Sequence, residues 1–175
     1  MHDAGLHILL QASFLRLRRV LPMQLAIVTT SDRPELAAIT GRWRWEAFFR
    51  NDGTRLEDML NAERIGAKIS SLLPTTFVML ADDEPVGMAS LVERDLEDRP
   101  DLTPWLAGVY VIPEARGRGH ATRLIYAVED LANDEGIATL WLYTASARGL
   151  TSAWAGQPPR SCTGSASSIL SCAAM

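Results

Sequence analysis

The stretch from Gly108 to Ile125, GVYVIPEARGRGHATRLI, constrains this chain more than any other. An apolar, β-branched run stops at Pro113, which has no N–H to give a sheet ladder. Two glycines then alternate with two arginines from Arg116 to Gly119. Ala121, Leu124, Ile125, Val128 and Ala132 follow at helical spacing, and Gly136 is placed to end that helix. A strand, a glycine turn and a helix in direct succession leave the first N–H groups of the helix pointing outward without intrahelical partners. Such a nest, joined to the positive end of the helix dipole, suits a phosphate. The glycines keep Cβ atoms out of the way, and Arg116 and Arg118 add charge, with His120 beside them. The spacing is neither G-x-G-x-x-G nor a P-loop, because no Lys-Ser/Thr pair follows.

The other elements arrange themselves around this unit. MQLAIVTT, from Met23, alternates and reads as a first strand. A helix follows, with Asp32 as cap, Pro34 in its first turn and Leu36, Ile39, Trp43 and Ala47 on its apolar face. Thr54 and Glu57 form the capping box of a second helix, which carries Leu56, Met59, Leu60, Ile69 and Leu72 and closes at Pro74. TTFVMLA and PVGMASLVE are strands joined by the turn DDEP into a hairpin. After the acidic loop RDLEDRPD comes the long strand LTPWLAGVYVI, and ATLWLYT is a fifth strand beyond the glycine-turn helix. The order β-α-α-β-β-β-α-β ends in a strand–helix–strand crossover, which makes its two strands parallel. The fold class is α/β, with a mixed central sheet flanked by helices.

Composition narrows the function classes. The 175 residues suit one domain, and the net charge of −4 gives no reason to expect nucleic acid or a membrane surface as partner. Two cysteines, Cys162 and Cys172, make no disulfide framework and point to a reducing, cytoplasmic setting. His2, His7 and His120 are too scattered for a metal-ligand pattern, so no metal is expected. No apolar run is long enough to span a bilayer. In residues 1–22 the arginines follow the apolar stretch, the reverse of a signal peptide, so this segment reads as an extension ahead of a domain opening at Met23.

The segment Val111-Ile112-Pro113-Glu114-Ala115-Arg116-Gly117-Arg118-Gly119-His120-Ala121 resembles the acetyl-CoA-binding motif of the GNAT superfamily of N-acetyltransferases. That motif, Gln/Arg-x-x-Gly-x-Gly/Ala after an apolar strand, is filled by Arg116, Gly119 and Ala121. The element order over 23–147 is similar to the family's first five strands and three helices. The resemblance implies acetyl-CoA as co-substrate. Backbone N–H groups of Arg116, Gly117, Arg118, Gly119, His120, Ala121 and Thr122 would hold its pyrophosphate. The main chain of Val109, Tyr110 and Val111 would hold the pantetheine arm between splayed fourth and fifth strands. It also implies direct attack by an amine, from a small molecule or from a protein N-terminus or lysine. The residues at work would position the reactants, take the amine proton, stabilise the oxyanion with a strand amide and protonate the departing thiolate. A non-catalytic acyl-CoA-binding or regulatory protein on the same fold is the alternative.

Proton handling is less legible. The fourth strand has no carboxylate, so Glu93, at the end of the third, is the first candidate base, with Asp95, Glu97, Asp98 and Asp101 behind it. By the same resemblance, Trp43, Trp45, Phe48 and Phe49 stand where the family often walls its acceptor pocket. The family's general acid, a Tyr in a Tyr-x-x-x-Gly-Phe/Trp pattern on a fourth helix, is absent. Residues 148–175 instead form a Ser/Ala/Gly/Pro-rich tail, and from Gly149 to Met175 the only charged residue is Arg160. One allowed coding of Thr151 to Gly156, ACG-AGC-GCC-TGG-GCT-GGC, reads Tyr-Glu-Arg-Leu-Gly-Trp once a single T is set in front. A one-base frameshift near codon 150 is therefore expected. Without the last helix and two strands, the fifth strand would keep an open edge, a route to a homodimer.

Overall fold

The computed structural model describes residues 23–143 and 170–172. Strand β1 (Leu25–Thr29) is followed by helix α1 (Ala37–Arg44), which enters through a 3-10 turn at Pro34–Leu36 and continues as a π turn over Trp45–Phe49. Helix α2 spans Leu56–Gly66. Strands β2 (Thr75–Ala81) and β3 (Glu84–Val92) form the expected hairpin, with Asp82 and Asp83 at positive φ in its two-residue turn. Then come β4 (Trp105–Val111), helix α3 (His120–Asp134), β5 (Leu140–Leu142) and β6 (Leu170–Cys172). The sheet order is β1-β2-β3-β4-β5-β6. The first four strands are antiparallel neighbours, whereas β4–β5 and β5–β6 are parallel. This is the mixed α/β sheet read from the sequence.

One face of α3 supplies much of the core. Leu124, Ile125 and Val128 pack with Met79, Ala89, Leu91, Leu106 and Leu140 of the sheet. Leu36 packs with Val78 and Leu80 in a second cluster. Trp105 is fully buried, and its Nε1 donates to Leu102 O at 2.7 Å.

Several local expectations give way to competing interactions. Asp32 caps nothing, because its carboxylate accepts from Thr29 Oγ1 at 2.7 Å and the helix enters through the Pro34 turn. Thr54 forms no capping box. Its own N–H is taken by Asp52 Oδ1 at 2.9 Å, and α2 starts later, at Leu56. Helix α2 ends at Gly66 rather than Pro74, which leaves Ile69 exposed beyond it while Leu72 packs on the core. Ala47 is exposed because the π turn advances the helix by an extra residue and rotates its apolar stripe. The tail is not strandless. Leu170–Cys172 pairs along all of β5, so the edge expected to be open for a second copy is covered. Unpaired strand groups favour such an addition, and Ile169-Leu170 is apolar. The fourth-helix position and the recoded motif at Thr151–Gly156 lie outside the described residues.

Candidate functional site

The glycine turn forms at the C-terminal end of β4. Ile112 N–H still donates to Val86 O at 3.0 Å, and Pro113–Ala115 then makes one 3-10 turn. Gly117 and Gly119 both take positive φ, 74° and 78°, and Gly119 is the N-cap of α3. The first amide of the helix with a backbone acceptor is Arg123, whose N–H donates to Gly119 O at 3.1 Å. The amides of residues 117–122 donate to no backbone carbonyl among the described residues. A Cβ built on Gly117 or Gly119 would meet no atom within 4 Å, so the space in front of the turn is open. Open space, unpaired amides and a helix dipole together make an anion cradle, and the residues present fit the pyrophosphate of a coenzyme A thioester.

The side chains of the turn divide into different tasks. Arg116 turns back on the strand. Its Nε donates to Val111 O at 2.9 Å and its guanidinium stands 6.0 Å from the Tyr110 ring centroid. Arg118 is exposed, with no ion-pair partner among the described residues. His120 does not add charge to the turn. Its side chain is buried, and neither ring nitrogen has a hydrogen-bond partner. Burial, reinforced by Arg118 and Arg123, holds the imidazole below its ordinary pKa and keeps it neutral near pH 7. Ala121 and Thr122 are half-buried in the first turn of α3.

Strand β4 leads away from this cradle with one edge free. It pairs with β5 only at Trp105↔Trp141 and Leu106↔Leu142, and Trp141 N–H donates to Pro104 O at 3.0 Å. Beyond Leu106, the stretch through Val109, Tyr110 and Val111 has no partner on that side among the described residues. On the other edge the register jumps from Ser90↔Ala107 to Met88↔Tyr110, so Gly108 and Val109 face the single residue Ala89. This is a β-bulge, and Gly108 sits in it at φ 61°.

At the opposite end of the sheet from the cradle lies a cavity of about 690 Å³. Thr76, Val92 and Ala107 line it from the strands and Thr30 from just past β1, Arg44, Phe49 and Glu63 from the helical layer, and Asp95 and Glu97 from the acidic loop. Of the four aromatic residues singled out in the sequence, Phe49 alone lines it. Trp43 packs against Tyr110 with ring centroids 5.6 Å apart, Trp45 Nε1 donates to Thr54 O, and Phe48 is exposed. Glu93 and Asp95 are both exposed, but only Asp95 is among the lining residues. Partial desolvation raises the Asp95 carboxyl above the ordinary range, against the opposing pull of Arg44. The ion pair of Arg44 and Glu63 was invisible in the sequence, where Arg44 reads as a solvated helix charge.

Residues 39–152 match the model of the acetyltransferase (GNAT) family. No curated protein matches the chain at a significant level. Among solved structures, an aminoglycoside N-acetyltransferase, AAC(6')-Iy in complex with CoA, is 21% identical with a TM-score of 0.58, over 77% of this chain and 88% of its own. A GCN5-related N-acetyltransferase from Ralstonia eutropha is 21% identical with a TM-score of 0.54, over 84% and 98%. A predicted acetyltransferase from Clostridium acetobutylicum, solved with acetyl-CoA, is 12% identical with a TM-score of 0.59, over 77% and 91%. These neighbours share the fold.

Proposed function

Since this chain belongs to the GNAT acetyltransferase family, we propose that its 23–147 core carries an acetyl group from acetyl-CoA to a primary amine, using the glycine turn, the free edge of β4 and the cavity as one continuous site. The observation that carries the reading is the row of unpaired amides at residues 117–122, facing open space beside a half-paired strand. Those amides hold the pyrophosphate, and Arg118 adds charge at the rim. The main chain of Val109, Tyr110 and Val111 takes the pantetheine amides as a ligand strand would. A backbone amide of the bulge faces the thioester carbonyl and stabilises the charge that develops on its oxygen.

The acceptor enters from the cavity. Its nitrogen lone pair forms a bond to the carbonyl carbon, the carbon–sulfur bond breaks, the amine gives up a proton, and the thiolate takes one. Asp95 is the better placed base, because it lines the cavity and partial desolvation raises its carboxyl above the ordinary value, which makes it a better proton acceptor. Glu93 lies off the cavity lining. Asp95 and Glu97 at the cavity favour a cationic amine, which fits a small-molecule amine, a protein N-terminus or a lysine. The tail lacks the tyrosine that would protonate the thiolate, so turnover is slow relative to binding. Among the described residues no helix is long and apolar enough to cross a membrane. The sparse use of cysteine supports a cytoplasmic setting.

The test is a calorimetric titration with acetyl-CoA of the parent, Gly119→Glu and Gly136→Glu. Both glycines have positive φ and open surroundings, so the two substitutions carry the same backbone strain. Only Gly119→Glu puts a negative charge in the cradle. Its affinity should fall more than tenfold, about 1.4 kcal/mol or more, while Gly136→Glu binds as the parent does. A parent that fails to bind, or a Gly119→Glu that binds equally well, refutes the assignment.

A further inference from the structure

We propose that Arg44 is a positioning residue for acetyl transfer: its guanidinium, locked by Glu63 and Ser90, occupies the place of a side chain at Gly108 and holds the β4 bulge in shape. The inference rests on the site reading above, in which a bulge amide faces the thioester carbonyl.

Arg44 is the last residue of α1, and its side chain is only 11% exposed. A guanidinium is costly to bury unless paired and hydrogen-bonded. Its Nε donates to Glu63 Oε1 at 2.5 Å, and the other carboxylate oxygen, Oε2, accepts from Thr40 Oγ1 at 3.1 Å. Its Nη2 donates to Ser90 Oγ at 2.6 Å, and Ser90 Oγ lies 2.9 Å from Thr76 Oγ1. The planar fork is thereby fixed from α1, α2, β2 and β3 at once, and Nη1 is left toward β4.

Gly108 is cut to fit that fork. A Cβ there would overlap Nη1 and lie 3.1 Å from Cζ and 3.3 Å from Nη2. Gly53, Gly117, Gly119 and Gly136 also have positive φ, yet a Cβ on any of them would meet nothing within 4 Å. At those positions only the backbone conformation calls for glycine. At Gly108 the space is taken as well, by a charged group that four elements hold in place. The neighbouring residue of α1 makes a second contact, since Trp43 packs on Tyr110. The end of α1 therefore grips β4 at Gly108 and Tyr110, on either side of Val109. This is the stretch where the β3 register breaks and no partner stands on the β5 side among the described residues, so strand pairing alone leaves the bulge least determined there. An apolar side chain would fill the same space at less desolvation cost. A guanidinium adds a fixed orientation against the bulge.

The test uses the full chain with acetyl-CoA labelled at its carbonyl carbon. Infrared difference spectra report the carbonyl stretch of the bound thioester, calorimetry its affinity, and melting the stability. The variants are Arg44→Lys, Arg44→Met and Arg44→Met/Glu63→Met, the last removing both charges so that no ion is left buried alone. Positioning predicts that the parent shifts the stretch to lower wavenumber, and that both Met variants lose the shift while affinity stays within about threefold. Arg44→Lys, which lacks the planar fork, recovers part of the shift at most. The double variant regains the melting temperature that Arg44→Met loses, without regaining the shift. A double variant that melts like the parent and keeps its carbonyl shift makes Arg44 merely structural and overturns the proposal, as does a parent that binds without any shift. A parent that does not bind acetyl-CoA fails the site reading itself, a different result from either.

Discussion

Replacing His120 with leucine should stabilise this protein. The imidazole is 2% exposed and both ring nitrogens lack partners. A neutral histidine carries one donor and one acceptor, and leaving such a group unsatisfied costs about 1–3 kcal/mol. Leucine is of similar volume and brings no polar atom, so His120→Leu recovers that cost. For a chain of this size, at about 2–4 °C per kcal/mol, the gain is a rise in Tm on the order of 5 °C. The effect should also depend on pH. Burial lowers the folded-state pKa of His120, with Arg118 and Arg123 adding to it. Above the unfolded pKa, near 6.5, both states are neutral at this residue. Below it the unfolded chain takes up a proton that the folded one refuses, so stability is lost as pH falls. Melting curves of parent and variant at pH 8, 7, 6 and 5 should diverge on acidification, with the parent falling faster. Affinity for acetyl-CoA should be unchanged, because in the proposed site residue 120 contributes its backbone amide and not its side chain. A His120→Leu protein that melts lower than the parent at pH 7, or curves that stay parallel, would show that the imidazole has a partner. Loss of acetyl-CoA binding would identify that partner as the ligand.

Glu129 titrates in the opposite sense. Burial, reinforced by Asp130, raises its carboxyl to about 7, so its contribution is lost as pH rises from the unfolded carboxylate range through that value. Glu129→Gln should therefore raise Tm more at pH 8 than at pH 5, and an equal gain at both would refute it. For the tail, sequencing the coding DNA should show that one inserted base ahead of Thr151 restores a charged, family-like continuation beginning Tyr-Glu-Arg-Leu-Gly-Trp. If no single insertion does so, the frameshift is wrong. The family match ends at residue 152, beside the point where the shift is expected.

What could be read from the sequence was what depends on near neighbours along the chain. The run from Val109 through Gly119 to Val128 carries its own instructions: a β-branched stretch, a proline stop, two residues that tolerate positive φ and an apolar stripe at helical spacing. The nest is a main-chain object and followed directly. Helix starts were harder, because Thr29 engages the carboxylate of the expected cap Asp32, and Asp52 takes the N–H of Thr54 that the second capping box would use. The lower half of α1 misled because a π turn breaks the period on which the stripe was counted. The strand at Leu170–Cys172 escaped because its pairing is set by the unmet edge of β5, not by its own composition. The lock around Arg44 was out of reach altogether. Its partners stand 19 and 46 residues away, and a helical arginine usually reads as a solvated charge.

Strand β4 asks for two incompatible things, and the neighbouring elements reconcile them. To take a ligand as an added strand, it must leave a row of amides and carbonyls free, which weakens its hold on the sheet. To place a carbonyl for attack, its backbone must stay fixed to within a fraction of an ångström. Pairing with β5 would steady the strand and close the edge. Among the described residues that pairing stops at Leu106, and β3 shifts register just beyond it, between its pairs at Ala107 and Tyr110. Further support at the bulge comes from above and below the sheet. Leu124 and Ile125 of α3 pack with Leu106 and Val111 in the core, and the end of α1 puts Trp43 on Tyr110 and Arg44 on Gly108. The faces thus hold the bulge, where its pairing with β3 is interrupted. A substitution at Arg44 should for that reason alter how a bound thioester is polarised before it alters how tightly the cofactor is held, since the proposed pyrophosphate cradle at residues 117–122 lies beyond the C-terminal end of the strand.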